Sequence, residues 1–299
     1  MASSDVAIRE AERRIEDQRS LVAHLSGTGR DTSRADRALA DMEAAFATIR
    51  DRHDGLWPLR AFVRNRLLRL LREDDFRLIA GDLKPASLAL REVLSEPHMP
   101  IEMVTFVDRG LVSAVAGSGS GTVLEFGIIG NDGVVGYPLA MGVDRTPYRY
   151  LVQVPGEGWT MPAAALSEAM RRTSIRELLL RYAYLFHLQT VETAFANATQ
   201  TVEKRLARWL LLYDDRSDGG EFRITHDFLA QMLGVRRASV TVALHLLEGE
   251  QLIRARRQSI TIRRRAGLEA LAADCYGAAE AEAARLLRTE GNGAARLPE

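Results

Sequence analysis

The sequence predicts an α+β protein in which helical segments flank a central antiparallel β region and a small mixed module follows. Two patterns carry this prediction. Apolar residues recur at spacings of three and four in residues 4–24, 34–53 and 163–213, which is typical of amphipathic helices. Between Pro100 and Pro162 the chain is rich in Val, Ile, Phe and Gly and is interrupted by frequent turn signals, which is typical of short antiparallel strands.

Length and composition set the limits of the prediction. The chain has 299 residues, 46% of them hydrophobic, which is enough for two compact domains. The 40 basic and 40 acidic residues cancel, so any surface that attracts nucleic acid must be local. The single cysteine, Cys275, excludes an internal disulfide framework and a multi-cysteine iron or zinc site within one chain. No metal or cofactor is predicted.

The N-terminal segment predicts a helical hairpin. Its first residues are charged where a signal peptide needs an apolar stretch, and no run in the chain approaches the roughly 18 apolar residues of a membrane helix. We therefore expect a cytoplasmic protein without a membrane partner. The stretch SGTGRDTS separates the two predicted helices, whose polar faces carry both signs of charge. These faces are interpreted as solvated surface without chemistry.

Within the β region, GSGSG at residues 117–121 lies between two predicted strands, Leu111–Ala116 and Thr122–Ile129. It lacks the spacing of a dinucleotide-binding fingerprint and the lysine of a phosphate-binding loop. A hairpin loop is therefore the simplest interpretation. The segment YRYLVQVPGEGWTMP adds a further strand, which ends near Pro162.

From Ala163 to about Tyr213 the helical period returns and predicts one long helix with a continuous apolar seam. Such a seam needs a partner. It can pack on the β region of its own chain or against the same helix of a second copy. Both contacts are expected, with the dimer favoured. The seam consists of Leu188, Val191, Phe195, Ala198, Val202, Leu206 and Trp209.

After a predicted linker at 214–221, the C-terminal module has the spacing of a helix-turn-helix. Thr225 can cap a helix that ends at Gly234, and a second helix begins at about Arg236 after a short turn. One face of the second helix carries the core positions Val240, Ala243, Leu244 and Leu247. The opposite face carries small or modest side chains that allow a close approach, namely Ala238, Val242 and His245, flanked by Ser239 and Thr241.

A basic hairpin follows this helix. Residues 253–263 alternate apolar and polar positions around a turn at 257–259, and nine arginines stand between residues 223 and 265 against three acids. A helix with a close-approach face, Arg236 and Arg237 at its start and a basic hairpin beside it are the features needed for insertion into a DNA major groove. As alternatives, the helix-turn-helix spacing can reflect ordinary packing of two helices, and the arginine-rich hairpin can be a solvated surface.

Catalysis has little support in the sequence. The neighbouring pairs His226–Asp227 and His245–Glu248 are the only combinations of histidine and acid to consider. Helix capping, surface charge or DNA contact explains each better than general acid–base chemistry. Hydrolase elbows, zinc helices and phosphate loops are missing from the sequence. We predict that the protein is not an enzyme.

Five motifs make the sequence resemble the CRP/FNR family of bacterial transcription regulators: NRLLRLL, FVDRGLVSAV, GNDGVVG, VEKRLARWLLL and LAQMLGVRRASVTVAL. The resemblance covers about residues 64–276. The resemblance implies a dimer with a jelly-roll-like β-roll sensor similar to a cyclic-nucleotide-binding domain, a long dimerisation helix and a winged helix-turn-helix. The implied domains are the β-roll (56–166), the dimerisation helix (167–213) and the winged domain with a helical tail (214–299). The helical hairpin extension (1–55) lies outside the resemblance and is interpreted as a partner-binding or dimer-supporting addition.

The resemblance also implies the partners and their contacts. The helix from Arg236 to about Glu248 becomes the recognition helix, two copies of which read a pseudo-palindromic operator in double-stranded DNA. RNA polymerase is the expected protein partner. Phosphate contacts are expected from Arg254, Arg256, Arg257 and Arg263, and sequence choice from Arg236, Arg237, Ser239, Thr241 and His245. The dimer interface is expected at Leu188, Val191, Phe195, Ala198 and Val202.

The recognition helix departs from the family pattern. Many members read Ser-Arg-Glu-Thr-Val-x-Arg here, whereas this chain keeps the arginine at Arg237 but has Ala238 and Val242 at the positions of the glutamate and the second arginine. Carboxylate contact with cytosine and guanidinium contact with guanine are thus lost at these positions, and methyl contact with thymine is favoured. We expect a different target sequence.

The sensor departs as well. Nucleotide-binding members use a Gly-Glu pair and a later Arg-Ser or Arg-Thr, whereas here Gly136 is followed by Tyr137 and Pro138, with Arg145 and Thr146 further on. The carboxylate for a ribose is missing, so the sensor is expected to be degenerate and not to bind cyclic AMP. An unidentified small-molecule effector, if one exists, is expected at Gly136, Tyr137, Arg145 and Thr146. Arg145 is otherwise interpreted as a salt-bridged or solvated loop residue.

Two hypotheses remain from different classes of protein. The first is a homodimeric, sequence-specific DNA-binding transcription regulator with a degenerate sensor. The second is a ligand-sensing or protein-interaction module whose winged domain no longer binds DNA. Retention on duplex DNA that is lost as salt rises favours the first.

Overall fold

An antiparallel sheet lies at the centre of the molecule. The computed structural model describes residues 2–27, 32–51, 59–117, 123–217, 221–256 and 259–287. Among these residues, the central sheet has the strand order β1-β6-β3-β4, with β2 added beside β6 and β5 beside β3. Its strands are β1 (Lys84–Leu88), β2 (Val93–Ser95), β3 (Met103–Gly117), β4 (Val123–Ile129), β5 (Val134–Val135) and β6 (Arg149–Pro162). This sheet is called the β-roll below.

The β-roll curls because its longest strands are interrupted. The pairing of β3 with β6 shifts register on both sides of Arg109 and again after Leu111. Gly110 lies at this bend with φ of +91°, and a Cβ there would come within 2.6 Å of the carbonyl oxygen of Val154. Only glycine tolerates this backbone and this approach. The predicted hairpin between β3 and β4 is confirmed by the pairing of Gly117 with Val123, while residues 118–122 of its loop lie outside the described part of the chain.

The described residues before the sheet form five helices: α1 (Ala2–Gly27), α2 (Ser33–Asp51), α3 (Leu59–Phe62), α4 (Arg66–Leu70) and α5 (Glu73–Ala80). The predicted hairpin of α1 and α2 is confirmed, and the charges at Arg13, Glu16, Asp17 and Arg19 are exposed, but the interpretation as solvated surface is wrong at Arg14. Arg14 is 7% exposed, donates to the carbonyl oxygen of Phe62 at 2.6 Å and lies 3.3 Å from Asp108 Oδ2. Its guanidinium also lies over the Trp159 ring, 5.2 Å from the centroid. A buried arginine therefore fixes α1 to the β-roll.

The predicted long helix is three helices in the structure: α6 (Ala163–Ala169), α7 (Thr173–Thr199) and α8 (Val202–Arg216). Gln200 and Thr201 have extended backbone conformations, with ψ of 152° and 163°, and separate α7 from α8. The prediction of one continuous apolar seam is therefore wrong. Leu206 and Trp209, 0% and 4% exposed, belong to the core of the C-terminal module instead.

The C-terminal module has its own small sheet and core. Its strands β7 (Glu221–Arg223), β8 (Ile253–Arg256) and β9 (Ser259–Ile262) pair in the order β7-β9-β8. Its helices after α8 are α9 (His226–Leu233), α10 (Arg237–Gly249), α11 (Arg265–Ala272) and α12 (Ala278–Leu286). The linker predicted at 214–221 is wrong at both ends, because α8 continues to Arg216 and β7 begins at Glu221. Within the described ranges, no helix is both long enough and apolar enough to cross a bilayer.

Candidate nucleic-acid interface

Local signals position the two helices of the helix-turn-helix. The Thr225 side chain accepts a hydrogen bond from the backbone N–H of Phe228 at 3.2 Å and so caps α9. Gly234 ends α9 with φ of +60°, and its left-handed conformation turns the chain toward α10. α10 begins immediately after Arg236, whose side chain makes no capping bond. The predicted caps and turn are confirmed.

The inner face of α10 is fully packed. The four predicted core residues, Val240, Ala243, Leu244 and Leu247, are at most 2% exposed and contact the core that α8, α9 and α11 share. This burial fixes the rotation of α10 about its axis. The opposite side of the helix is therefore held outward.

The outward face carries the small residues that the sequence singled out. Val242 is 56% exposed, and Ala238 and His245 are exposed too. Ser239 and Thr241 are half-buried at the margins, and the Thr241 hydroxyl lies 3.0 Å from His226 Nδ1. Leu246, which sequence reasoning missed, is 49% exposed and lies one turn beyond Val242. The outward face is not covered by the described parts of the chain.

The arginines beside this face differ in their partners. Arg237 lies 3.2 Å from Asp227 Oδ1 in an ion pair whose two side chains are both largely exposed. Within the described residues between 236 and 263, four other exposed arginines have no side-chain hydrogen bond or ion pair, namely Arg236, Arg254, Arg256 and Arg263. Arg257 lies outside the described residues. Asp227 is the acidic partner that sequence reasoning did not connect with Arg237.

The basic hairpin is tied to α10. Ala255 N donates to Glu248 Oε1 at 3.0 Å, and Arg256 pairs with Ser259 at the end of the hairpin. Arg254 and Arg256 alternate with Ile253 and Ala255, which face inward. The hydrogen bond between Glu248 of α10 and Ala255 of β8 holds the basic hairpin beside α10.

The residues expected at a dimer interface lie on α7 and just beyond it. Val191 and Phe195 are 50% and 47% exposed, Ala198 is exposed, and Leu188 and Val202 are half-buried. Leu180 and Tyr184, which the sequence did not single out, extend the same stripe toward the start of α7. The result is an apolar helix face without a partner among the described residues.

The residues expected at an effector site are distributed between the interior and the surface. The Tyr137 ring packs against Phe186 and Tyr182, with centroids 4.9 and 5.8 Å away. Arg145 is exposed and lies 3.3 Å from its neighbour Asp144. Thr146 is buried, and its hydroxyl donates to the carbonyl of Tyr148 at 3.3 Å. Gly136 is buried with φ of +98°, and a Cβ there would come within 2.5 Å of Val104. The aromatic ring of Tyr137 thus occupies space beside α7.

A buried polar cluster joins the β-roll to the C-terminal module, and no pattern in the sequence predicted it. Trp209 Nε1 of α8 donates to Glu125 Oε1 at 2.8 Å, and the hydroxyl of Ser113 lies 2.5 Å from Glu125 Oε2. Met232 Sδ of α9 lies 3.8 Å from the same hydroxyl. Burial raises the pKa of Glu125 to about 7, although the bonds from Ser113 and Trp209 oppose the shift.

Comparison with known proteins finds similarity in the C-terminal module and in the overall fold. Residues 204–271 match the family model of the Crp-like helix-turn-helix domain. Because the match begins at residue 204, it includes most of α8. A search of curated proteins finds no match to the sequence.

Solved structures share the architecture over about two thirds of the chain. FixK2 from Bradyrhizobium japonicum has a TM-score of 0.56 at 17% identity and covers 63% of this chain and 96% of its own. A CRP-family transcriptional regulator from Thermus thermophilus has a TM-score of 0.52 at 18% identity, covering 64% and 99%. The c-di-GMP responsive global regulator CLP of Xanthomonas campestris has a TM-score of 0.51 at 17% identity, covering 64% and 99%. The predicted fold class and the resemblance are confirmed.

Proposed function

The chain combines a Crp-like helix-turn-helix domain with the fold of the CRP/FNR transcription regulators, and we propose that it binds a pseudo-palindromic DNA operator as a homodimer. One observation carries this proposal. The described residues leave the outward face of α10 uncovered. This face carries mostly small side chains, and the exposed arginines beside it include several without side-chain partners in the described residues. A recognition helix needs these properties to enter a major groove.

Phosphate contacts supply most of the affinity. Arg254, Arg256 and Arg263 contact the DNA backbone on one side of α10. Arg257, which lies outside the described residues, stays an expected phosphate contact. Arg237 exchanges its exposed ion pair with Asp227 for DNA at little cost, since such pairs contribute about 0–1 kcal/mol. The uncapped first turn of α10 adds backbone N–H groups that favour a phosphate.

Base edges are read by the outward face. The methyl groups of Ala238 and Val242 contact thymine, while Ser239, Thr241 and His245 offer hydrogen bonds to either edge of a base pair. Arg236 and Arg237 at the start of the helix are the candidates for guanine. Thr241 must share its hydroxyl with His226, which lies 3.0 Å away.

Dimerisation doubles the recognition helix. The exposed apolar stripe of α7, which includes Val191 and Phe195, packs against its copy in a second chain about a two-fold axis. The two copies of α10 then enter successive major grooves about 34 Å apart. Burial of the stripe removes an apolar patch that a monomer would expose to water.

The organisation of the chain follows from the helix break at Gln200. We assign residues 1–55 to the hairpin extension and the β-roll to residues 56–166, as the sequence predicted. The boundary between the dimerisation helix and the winged domain belongs at 200–201 and not at 213–214, because α8 packs in the C-terminal core. The packing of Tyr137 and the surface position of Arg145 support a degenerate sensor. RNA polymerase remains the expected protein partner in the cytoplasm.

Operator selection and a double variant test the proposal. Duplexes bound from a random pool define the operator, and Arg236→Ala with Arg237→Ala should weaken binding to it by about 2 kcal/mol or more, about 30-fold. Arg171→Ala, which removes an exposed arginine between α6 and α7, is the control and should leave affinity unchanged. Equal affinity of the double variant and the wild type contradicts the assignment. Failure to retain duplex DNA even at low salt favours the ligand-sensing or protein-interaction alternative.

A further inference from the structure

A cavity of about 710 Å³ lies where the β-roll, α7, the end of α8 and α12 meet. Its volume is within the range of about 300–1,000 Å³ that is usual for small-molecule sites. The four residues expected at an effector site, Gly136, Tyr137, Arg145 and Thr146, do not line it. The cavity is therefore a separate feature of the fold.

Three buried polar atoms on the lining side chains lack hydrogen-bond partners among the described residues. They are Arg216 Nε, Ser217 Oγ and Glu280 Oε1. Arg216 is only 8% exposed, and its other nitrogens contact Leu212 O and Asp132 Oδ2, both at 3.1 Å. Glu280 uses its second oxygen to accept from Gly277 N at 3.0 Å. Arg216 and Glu280 are thus held in place, each with one polar atom that has no partner among the described residues, and buried polar groups in native proteins are normally satisfied.

Much of the remaining lining is apolar. Leu70, Leu185, Phe186 and Leu287 contribute to it, together with Ala283 on the inner side of α12. Water can satisfy the polar atoms, but it gains nothing from these walls. A molecule with an apolar body and a polar head matches both parts of the cavity.

The charges on the described lining residues nearly balance. Three arginines, Arg66, Arg69 and Arg216, face four carboxylates, Asp132, Asp214, Asp215 and Glu280. Asp214 and Asp215 are already paired with Arg265, at 2.5 and 2.6 Å. A charged ligand head would be repelled by lining side chains of the same sign, whereas a neutral head avoids this repulsion. Arg216 Nε needs an acceptor and Glu280 Oε1 needs a donor.

We propose that this cavity binds a neutral small molecule with an apolar body and a head that carries both a hydrogen-bond donor and an acceptor, as a primary amide on an aromatic ring system does. The head lies between Arg216, Ser217 and Glu280, and the body lies against Phe186 and Ala283. Bound there, the molecule contacts the β-roll, α7 and the C-terminal module at once. This binding is independent of the proposed DNA-binding function and can be tested without DNA.

Three probes with a common naphthalene body test the chemistry of the head. They are 2-naphthamide, 2-naphthoate and 2-naphthylmethylammonium, whose dissociation constants are measured by ligand-observed NMR on the full chain. We expect the amide to bind at least about tenfold more tightly than either charged probe. Tighter binding of a charged probe, or no binding of the amide, overturns the proposal.

Two variants locate the probe. Ser217→Ala removes a hydroxyl without a protein partner among the described residues, so the fold should be unaffected while amide affinity falls about fivefold. Ala283→Trp fills the cavity and should reduce amide binding at least about tenfold, whereas Ala281→Trp on the exposed side of the same helix should not. Wild-type affinity in both Ser217→Ala and Ala283→Trp overturns the assignment of the site.

Discussion

Replacing Glu125 with glutamine should change how stability depends on pH. Glu125 is 5% exposed and lies between β4 and α8, where Trp209 Nε1 donates to one oxygen and Ser113 contacts the other. The Ser113 hydroxyl also contacts Gln153 Oε1. The bonds from Ser113 and Trp209 stabilise the carboxylate, but burial away from water destabilises it more. Burial is therefore the reason that the neutral acid is favoured.

The sign and size of the effect follow from the two pKa values. Burial raises the pKa of Glu125 from 4.5 to about 7 in the folded protein. As pH rises through this interval the unfolded chain loses the proton first, so the free energy of unfolding falls and then levels off above about pH 7. At about 1.4 kcal/mol per pKa unit, the total loss between about pH 4 and pH 8 is about 3 kcal/mol. Glutamine keeps both hydrogen bonds and cannot titrate.

Urea unfolding at a series of pH values measures this difference. One protein concentration is used throughout, because the proposed dimerisation would make stability depend on concentration. The stability of Glu125→Gln relative to wild type should rise by about 3 kcal/mol from about pH 4 to pH 8. Glu168→Gln, at an exposed carboxylate of α6, should follow the wild-type profile. Parallel pH profiles for Glu125→Gln and wild type would refute the assigned protonation.

Three further substitutions test other parts of the structure. Arg14→Ala leaves Asp108 buried beside an empty site and should destabilise the fold by about 3 kcal/mol or more in urea unfolding, whereas Arg13→Ala, at an exposed position, should cost less than about 1 kcal/mol. Val191→Asp places a charge on the exposed stripe of α7 and should convert the proposed dimer to a folded monomer in light scattering; a variant that is still dimeric contradicts that interface. Gly234→Ala should lower stability by about 1 kcal/mol, because φ is +60° there; an unchanged urea midpoint excludes strain at this turn.

Elements that local chemistry defines could be predicted from the sequence. Thr225 and Gly234 lie at the ends of one short helix, and each makes the cap that its residue type favours. The pattern of α10 likewise predicted which residues are buried, since a helix with one apolar face has one stable orientation on a core. The helix-turn-helix was therefore accessible without a structure.

The break between α7 and α8 could not be predicted from the sequence in this way. Neither Pro nor Gly stands at Gln200 and Thr201, and apolar residues keep their helical spacing from Phe195 through Leu206. The periodicity continues because both sides of the break need burial, on different partners. Phe195 is exposed on α7, while Leu206 is buried among the helices of the C-terminal module. Periodicity reports that a face is apolar and does not identify what covers it.

Contacts between residues that are far apart in the sequence could not be predicted either. Arg14 and Asp108 are 94 residues apart, and Glu125 and Trp209 are 84 apart. In the sequence, Arg14 is one of several charges on an amphipathic helix, and Glu125 is one polar position in a strand. Their burial depends on how the hairpin and the C-terminal module dock, which neither spacing nor composition encodes.

The arginines connect these findings with the neutral net charge. Buried arginines such as Arg14, Arg208 and Arg216 lie beside carboxylates, at 3.3, 3.5 and 3.1 Å, so part of the acidic charge of the chain neutralises arginines in its interior. Around α10 and the basic hairpin, Arg254 and Arg256 have no acidic partner in the described residues. A protein without net charge can therefore present one basic surface. Because each phosphate contact contributes about 0.9 to the salt dependence of DNA binding, Arg254→Ala and Arg256→Ala should each reduce that slope by about one, while Arg216, already paired, cannot contribute to it.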